Sequence, residues 1–146
     1  MSKRLIPALI LAALAIAPIA FADETAPQCS VRTLRGRYVF TANGFIVDPA
    51  SGVVRPKAII EVIDFNGDGT LLVPGGTRSL NGIITRFAPN PTVFAYTIGD
   101  DCAGTITFDG PTFDIFVAPR GNQLWLIQSN PNNVFQGTAT RTSQER

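Results

Sequence analysis

The sequence predicts an all-β protein: a single antiparallel up-and-down β-barrel of about eight strands. Three observations carry this. Short β-prone runs recur along the chain, separated by turn residues every eight to twelve positions or so. Beyond the N-terminal apolar run, no i, i+3, i+4 apolar stripe of helical length occurs. Consecutive runs are joined by tight-turn signals, as at Asp109-Gly110, so neighbours in sequence should be neighbours in the sheet. Such a meander leaves two unpaired edges, and closing it removes them. A barrel is therefore preferred to a two-sheet sandwich.

The first element is not part of the fold. Lys3 and Arg4 precede an uncharged apolar run from Leu5 to Phe21, and Ala20-Phe21-Ala22 fits a small-x-small cleavage site. Residues 1–22 are thus expected to be a cleaved signal peptide. The alternative, a retained membrane anchor, is weakened by Pro7 and Pro18 and by the lack of a following positive cluster. Residues 23–146 are expected to form one domain, secreted or periplasmic, with no membrane anchor after cleavage. Loss of the leader leaves ten basic against eleven acidic residues, a formal charge of −1. A chain this close to neutral has no basic stripe for nucleic acid.

The strands follow in order. Tyr38–Val47 is the first, with Asn43-Gly44 as a bend or bulge. Lys57–Phe65 is the second, and Thr70–Val73 the third, which Pro74-Gly75-Gly76 should end. Gly82–Phe87 and Thr92–Ile98 follow, joined through Pro89-Asn90-Pro91. Gly104–Phe108, Thr112–Ala118, Gln123–Gln128 and Val134–Thr140 make the final meander. If Asp109-Gly110 is a two-residue turn, Phe108 pairs with Pro111. Ile106, Phe108, Phe113, Ile115 and Val117 then share one apolar face, which should line the core. Phe135, Gly137 and Ala139 share a face in the last strand, and such small residues suit a crowded interior.

Chemistry is sparse. The chain has no histidine, which excludes Ser-His-Asp and Cys-His nucleophile systems and makes transition-metal chemistry improbable. No cofactor is expected. Asp64-Phe-Asn66-Gly-Asp68-Gly69 resembles the start of a calcium loop. Gly75 stands where the bidentate carboxylate belongs, so a plain hairpin turn is favoured and no metal site is assigned. Cys29 and Cys102 form an even pair in an exported chain, which points to a disulfide.

Glu61 lies within Ala58–Phe65, a strand apolar on both faces. Facing inward, it is a buried carboxyl with a raised pKa and a candidate general acid or base. Facing outward, it is a solvated charge. The outward reading is slightly favoured, because Ile60, Val62, Leu71 and Val73 make the cleaner apolar face. Arg86 is equally ambiguous. Tyr38 and Tyr96 are expected as core aromatics with the hydroxyl at a rim. Trp125 either packs under a loop or joins an exposed patch. Arg32, Arg35 and Arg37 form a small basic cluster, read as solvated.

Several stretches carry a resemblance. Cys29-x-x-x-Leu34-x-Gly36-x-Tyr38-x-Phe40, Phe65-Asn-Gly67-Asp-Gly69, Asp101-Cys102-x-Gly104-Thr105 and Gly137-Thr138-Ala139-x-Arg141 resemble small secreted bacterial proteins of unknown function. That family is similar to the allene oxide cyclase-like, lipocalin-shaped barrels. The resemblance covers nearly all of residues 23–146 and implies the barrel fold. It also implies a choice between a carrier of a small apolar molecule and a cyclase or isomerase. No cyclase catalytic residue matches a position here.

The leading expectation is a barrel that binds a small apolar ligand, with Phe108, Phe113, Ile115 and Phe135 as candidate lining residues. In the enzyme alternative, Glu61 and Tyr96 are the catalytic candidates. A third alternative is a structural or oligomeric envelope protein. Apolar residues on both faces of Ala58–Phe65 and of Leu124–Ile127 also predict self-association, as a homodimer. A buried polar group in a sizeable cavity favours the enzyme. A dry apolar cavity favours the carrier, and a filled interior favours the structural role.

Overall fold

The computed structural model describes residues 28–143; the expected leader therefore lies outside the described residues. A single 3-10 turn, Val31–Thr33, precedes nine strands. These are β1 (Gly36–Val47), β2 (Val54–Phe65), β3 (Thr70–Leu80), β4 (Ile83–Phe87) and β5 (Asn90–Ile98). Then come β6 (Ala103–Thr107), β7 (Thr112–Val117), β8 (Gln123–Gln128) and β9 (Asn133–Ser143). All pairings are antiparallel between sequence neighbours, except that β9 returns to β1 and β3 also pairs with β5. β1, β2, β3, β5, β6, β7, β8 and β9 thus close an eight-stranded barrel, and β4 is an extra strand.

The extra strand exists because β3 is longer than its sequence predicts. Pro74-Gly75-Gly76 does not end it; β3 continues to Leu80. Its first part pairs with β5 and its second, from Gly76 to Leu80, with β4. Pro74 falls where β3 passes from β5 to β4 on one side and at the register shift against Val62/Asp64 of β2 on the other, so it has no partner in any of these ladders and its missing N–H is tolerated. β1 also differs from expectation. It runs through Asn43-Gly44 in unbroken register with β2, and its irregularity lies at Arg37/Tyr38 instead.

Hairpin register sets which residues face inward. Phe108 N–H donates to the Pro111 carbonyl at 2.9 Å across the Asp109-Gly110 turn, as its chemistry predicts. Ile106, Phe113, Ile115 and Val117 are accordingly buried, with Phe108 packed against them. Phe135 and Ala139 face in from β9. On β2 the expected facing is overturned. Phe65 pairs with Leu71, so Leu71 and Val73 share a face with Ile63 and Phe65, and Ile60 points out, 52% exposed. Parity along one strand cannot reveal this; the pairing with β3 decides it.

One end of the barrel is a sealed floor. Leu34, Tyr38, Ile63, Phe65, Leu71, Ile106, Val117 and Leu124 are fully buried there. Phe65 packs edge-on against both Tyr38 and Tyr96, with ring centroids 5.0 and 5.1 Å apart. The 3-10 turn closes this end. Tyr96 Oη donates to the Val31 carbonyl at 2.7 Å and lies 3.0 Å from that of Leu34. Tyr38 Oη donates to the Gly121 carbonyl and accepts from Arg141 Nε at 2.9 Å. Arg141 Nη2 reaches the Thr33 carbonyl at 3.0 Å. A disulfide joins Cys29 to Cys102, Cα atoms 4.9 Å apart, and fastens the lead-in to the β5–β6 connection.

A carboxyl and an ammonium in the barrel mouth

The other end of the barrel is open, and the residues that seal or open it are set by strand length. β9, β1, β2 and β3 are longer than β5, β6, β7 and β8, and β3 carries β4 with it. The last inward side chains of the shorter strands therefore line a mouth. Five phenylalanines gather there in edge-on or tilted contact: Phe40 with Phe113 at 5.9 Å, Phe94 with Phe108 at 5.2 Å, and Phe113 with Phe135 at 6.3 Å. They border a cavity of about 390 Å³, to which Phe87 from β4 adds a further ring. That volume is at the small end of the range for small-molecule sites. A larger hollow of about 630 Å³ lies on the outer face, bordered by Phe116, Trp125 and Ile127. It is a shallow trough on the flat side of the sheet, without a buried titratable group, so the mouth carries the chemistry.

Glu61 faces into the mouth and is 8% exposed. This corrects the favoured outward reading. The carboxyl sits between Phe40, its partner on β1, and Gly76, its partner on β3. A Cβ at Gly76 would stand 2.6 Å from both Glu61 Cβ and Phe87 Cζ. The glycine is what lets the acid and the ring lie side by side. Burial pushes the Glu61 pKa up to about 7, and the Lys57 ammonium offsets part of that rise.

Lys57 lies on the same inward face of β2, two alternations away. Its Nζ sits 4.1 Å over the Phe135 ring and donates to Gln128 Oε1 at 3.1 Å. Gly44 stands between Lys57 and Phe135 in the sheet, paired with both. A Cβ there would lie 1.9 Å from the Val134 carbonyl oxygen, so the strands approach too closely for a side chain. The missing side chain clears the way for the lysine to reach across β1. Gln128 donates on to Asn130 Oδ1 at 3.1 Å, which also accepts from the Thr112 N–H at 2.7 Å. Burial and the nearby Arg78 hold the Lys57 pKa below its usual value, against an opposing pull from Glu61. Arg78 pairs directly with Ile59, between Lys57 and Glu61, and lines the same cavity.

Of the sequence candidates, Glu61, Phe108, Phe113 and Phe135 come together around this cavity. Ile115 is buried in the core and is not among the lining residues. Tyr96 is at the floor, its hydroxyl committed to the 3-10 turn, so it does not share a site with Glu61. Arg86 is exposed on β4. Arg37 pairs bidentately with Asp64, both contacts at 2.8 Å. Asp68 holds its own turn, accepting from the Thr70 N–H and hydroxyl at 2.9 and 2.6 Å. Among the described residues no group of three or more acidic or cysteine side chains is placed to hold a metal ion.

Sequence reasoning missed Lys57, Arg78, Phe40 and Phe87 as lining residues, and Gln128 as the acceptor that holds Lys57. Parity offered a signal for the first: Lys57, Ile59 and Glu61 alternate on one face. Gln128 likewise continues the apolar Leu124-x-Leu126 face. Arg78 and Phe87 needed the β3 extension.

No helix among the described residues is long and apolar enough to cross a membrane. In comparisons with protein-family models, curated proteins and solved structures, nothing matched this chain.

Proposed function

We propose that this chain is an exported barrel protein that binds one small, largely apolar molecule in its open mouth. The observation that carries this reading is the cavity of about 390 Å³ bordered by phenylalanines at one end of an otherwise filled barrel. Apolar concavities with a few convergent polar groups are the usual form of small-molecule sites. Export is supported by the leader-like residues 1–22 and by the Cys29–Cys102 disulfide, a bond at home in oxidising compartments. The resemblance to allene oxide cyclase-like barrels belongs to the same proposal and is consistent with the barrel shape. A fluorescent apolar probe added to the protein tests it: enhanced, saturable emission is expected. Emission lost on Phe113→Ala and Phe135→Ala would support the mouth as the site. Absence of binding by folded protein would refute it.

The cavity is not wholly apolar, and one observation favours a second reading, a cofactor-free cyclase or isomerase. Glu61 has a pKa of about 7 and lies beside the space a substrate would fill. A carboxyl poised near neutrality is suited to both giving and taking a proton. The same apolar walls would confine the substrate. Turnover that disappears in Glu61→Gln while probe binding persists would select this reading over a carrier.

Self-association is proposed as well. Ile60, Phe116, Trp125 and Ile127 stay between 45% and 53% exposed on the outer face of the barrel. Apolar side chains grouped on a sheet surface are characteristic of an interface.

A further inference from the structure

We propose that the outer trough on β7, β8, β9 and β1 is a binding site separate from the mouth, and that its ligand is an uncharged, ribbon-like glycan of β-linked pyranose units. The trough is built from two neighbouring rungs of the sheet. In the first, Phe116 pairs with Trp125, Trp125 with Thr138, and Thr138 with Thr41. In the second, Asp114 pairs with Ile127, Ile127 with Gln136, and Gln136 with Asn43. These residues alternate with buried ones such as Ile115, Leu126 and Ala42, so they face outward. Successive outward rungs lie about 7 Å apart, and four adjacent strands span about 14 Å, which is room for a short glycan laid across them.

The two rungs differ in chemistry. The first offers rings: Phe116 and Trp125 are exposed, with centroids 6.3 Å apart and planes inclined by 38°. They are not closed into a face-to-face stack, and Thr138 and Thr41 beside them are too short to wall them in. The second rung offers an acceptor in Asp114 and an amide, both donor and acceptor, in each of Gln136 and Asn43. Among the described residues none of these polar side chains has a hydrogen-bond partner, whereas Gln128 and Asn130 inside the mouth are bonded to each other. A pyranose ring matches this division. Its face carries C–H groups, which suit the negative face of an aromatic ring, and its rim carries hydroxyls that both donate and accept.

Other occupants fit less well. The residues lining the trough include one acid, Asp114, and no base, so an anionic polymer finds no counter-charge there. An extended peptide needs a free strand edge, and β7, β8, β9 and β1 are each paired on both sides. A second copy of the chain would cover the rings but would bury the polar side chains of the second rung, which costs stability unless each is given a partner. A glycan supplies those partners itself. It and a second copy would compete for Trp125, so bound glycan should dissociate any pair formed through this face.

Trp125 is the only tryptophan of the chain, so its emission reports on this site directly. Cellohexaose and chitohexaose are titrated into the protein, with maltohexaose as a coiled control and hexagalacturonate as an anionic one. A saturable emission shift is expected with at least one of the two β-linked glycans, and the stronger of them tells whether acetamido groups are read. Both controls should bind at least about tenfold more weakly. By calorimetry, Trp125→Ala should weaken glycan binding about tenfold, as loss of a stacking ring does, and Asn43→Ala and Gln136→Ala severalfold each. Circular dichroism establishes that each variant is folded. Binding kept in Trp125→Ala would overturn the trough as the site. Equal binding of hexagalacturonate would overturn the uncharged class, and equal binding of maltohexaose the ribbon shape. No shift with either β-linked glycan at millimolar concentration would overturn the proposal as a whole. If light scattering then shows a pair that Trp125→Ala dissolves, the occupant is a second copy.

Discussion

Glu61 makes the protein's stability depend on pH in a direction opposite to that of most carboxylates. Its pKa is raised from an ordinary 4.5 to about 7, chiefly by burial. The folded state therefore holds this proton more tightly than the unfolded chain does. The associated stability is fully present below about pH 4.5 and is lost as pH rises through 7. Each unit of difference is worth 1.36 kcal/mol, so the full loss is on the order of 3 kcal/mol. Glu61→Gln keeps shape and polarity but has no proton to lose. At pH 8 the variant should be more stable than the parent by up to about 3 kcal/mol, and near pH 4.5 the two should nearly coincide. Urea unfolding of both proteins, disulfide intact, at half-unit steps from pH 4.5 to 8.5 measures this. Groups that do not interact with Glu61, such as Asp48 and Asp68, whose pKa values are lowered by turn hydrogen bonds, cancel in the difference. A parent–variant difference that stays constant across this range would refute the reasoning. So would a parent that is the more stable protein at pH 8.

Two further predictions concern the floor and the outer face. Reducing the disulfide releases a loop spanning 73 residues and should lower stability by roughly 4 kcal/mol in the chain-entropy model, read as a shift in the urea midpoint with and without reductant. If the outer face of β7 and β8 mediates self-association, Trp125→Ser should weaken it at least about tenfold by light scattering, since aromatic anchors dominate interfaces. An unchanged mass distribution would place any contact elsewhere.

Strand number, hairpin order and the inward face of the last meander were legible in the residues themselves. Asp109-Gly110 is a local signal: the turn's backbone geometry depends on those two residues and sets the facing of everything from Ile106 to Val117. The cysteine pair was legible for a different reason, since a leader-like N-terminal sequence and an even count need no coordinates. The fate of Pro74-Gly75-Gly76 was not legible. Whether such a run ends a strand depends on which neighbour it meets, and β3 changes partner there. The facing of Glu61 was hidden by the same cause. Both faces of β2 are apolar, so periodicity along the strand is silent, and the Phe65–Leu71 register with β3 is what turns Glu61 inward. The candidate site was therefore half visible. Phe108, Phe113 and Phe135 follow from local alternation, whereas Lys57, Arg78 and Phe87 join them only through ladders between strands distant in sequence. Local turn chemistry determines a meander from the chain alone. The closure of that meander, and the meeting of an acid and two cations at its mouth, are decided by pairing, which is a property of the assembled sheet.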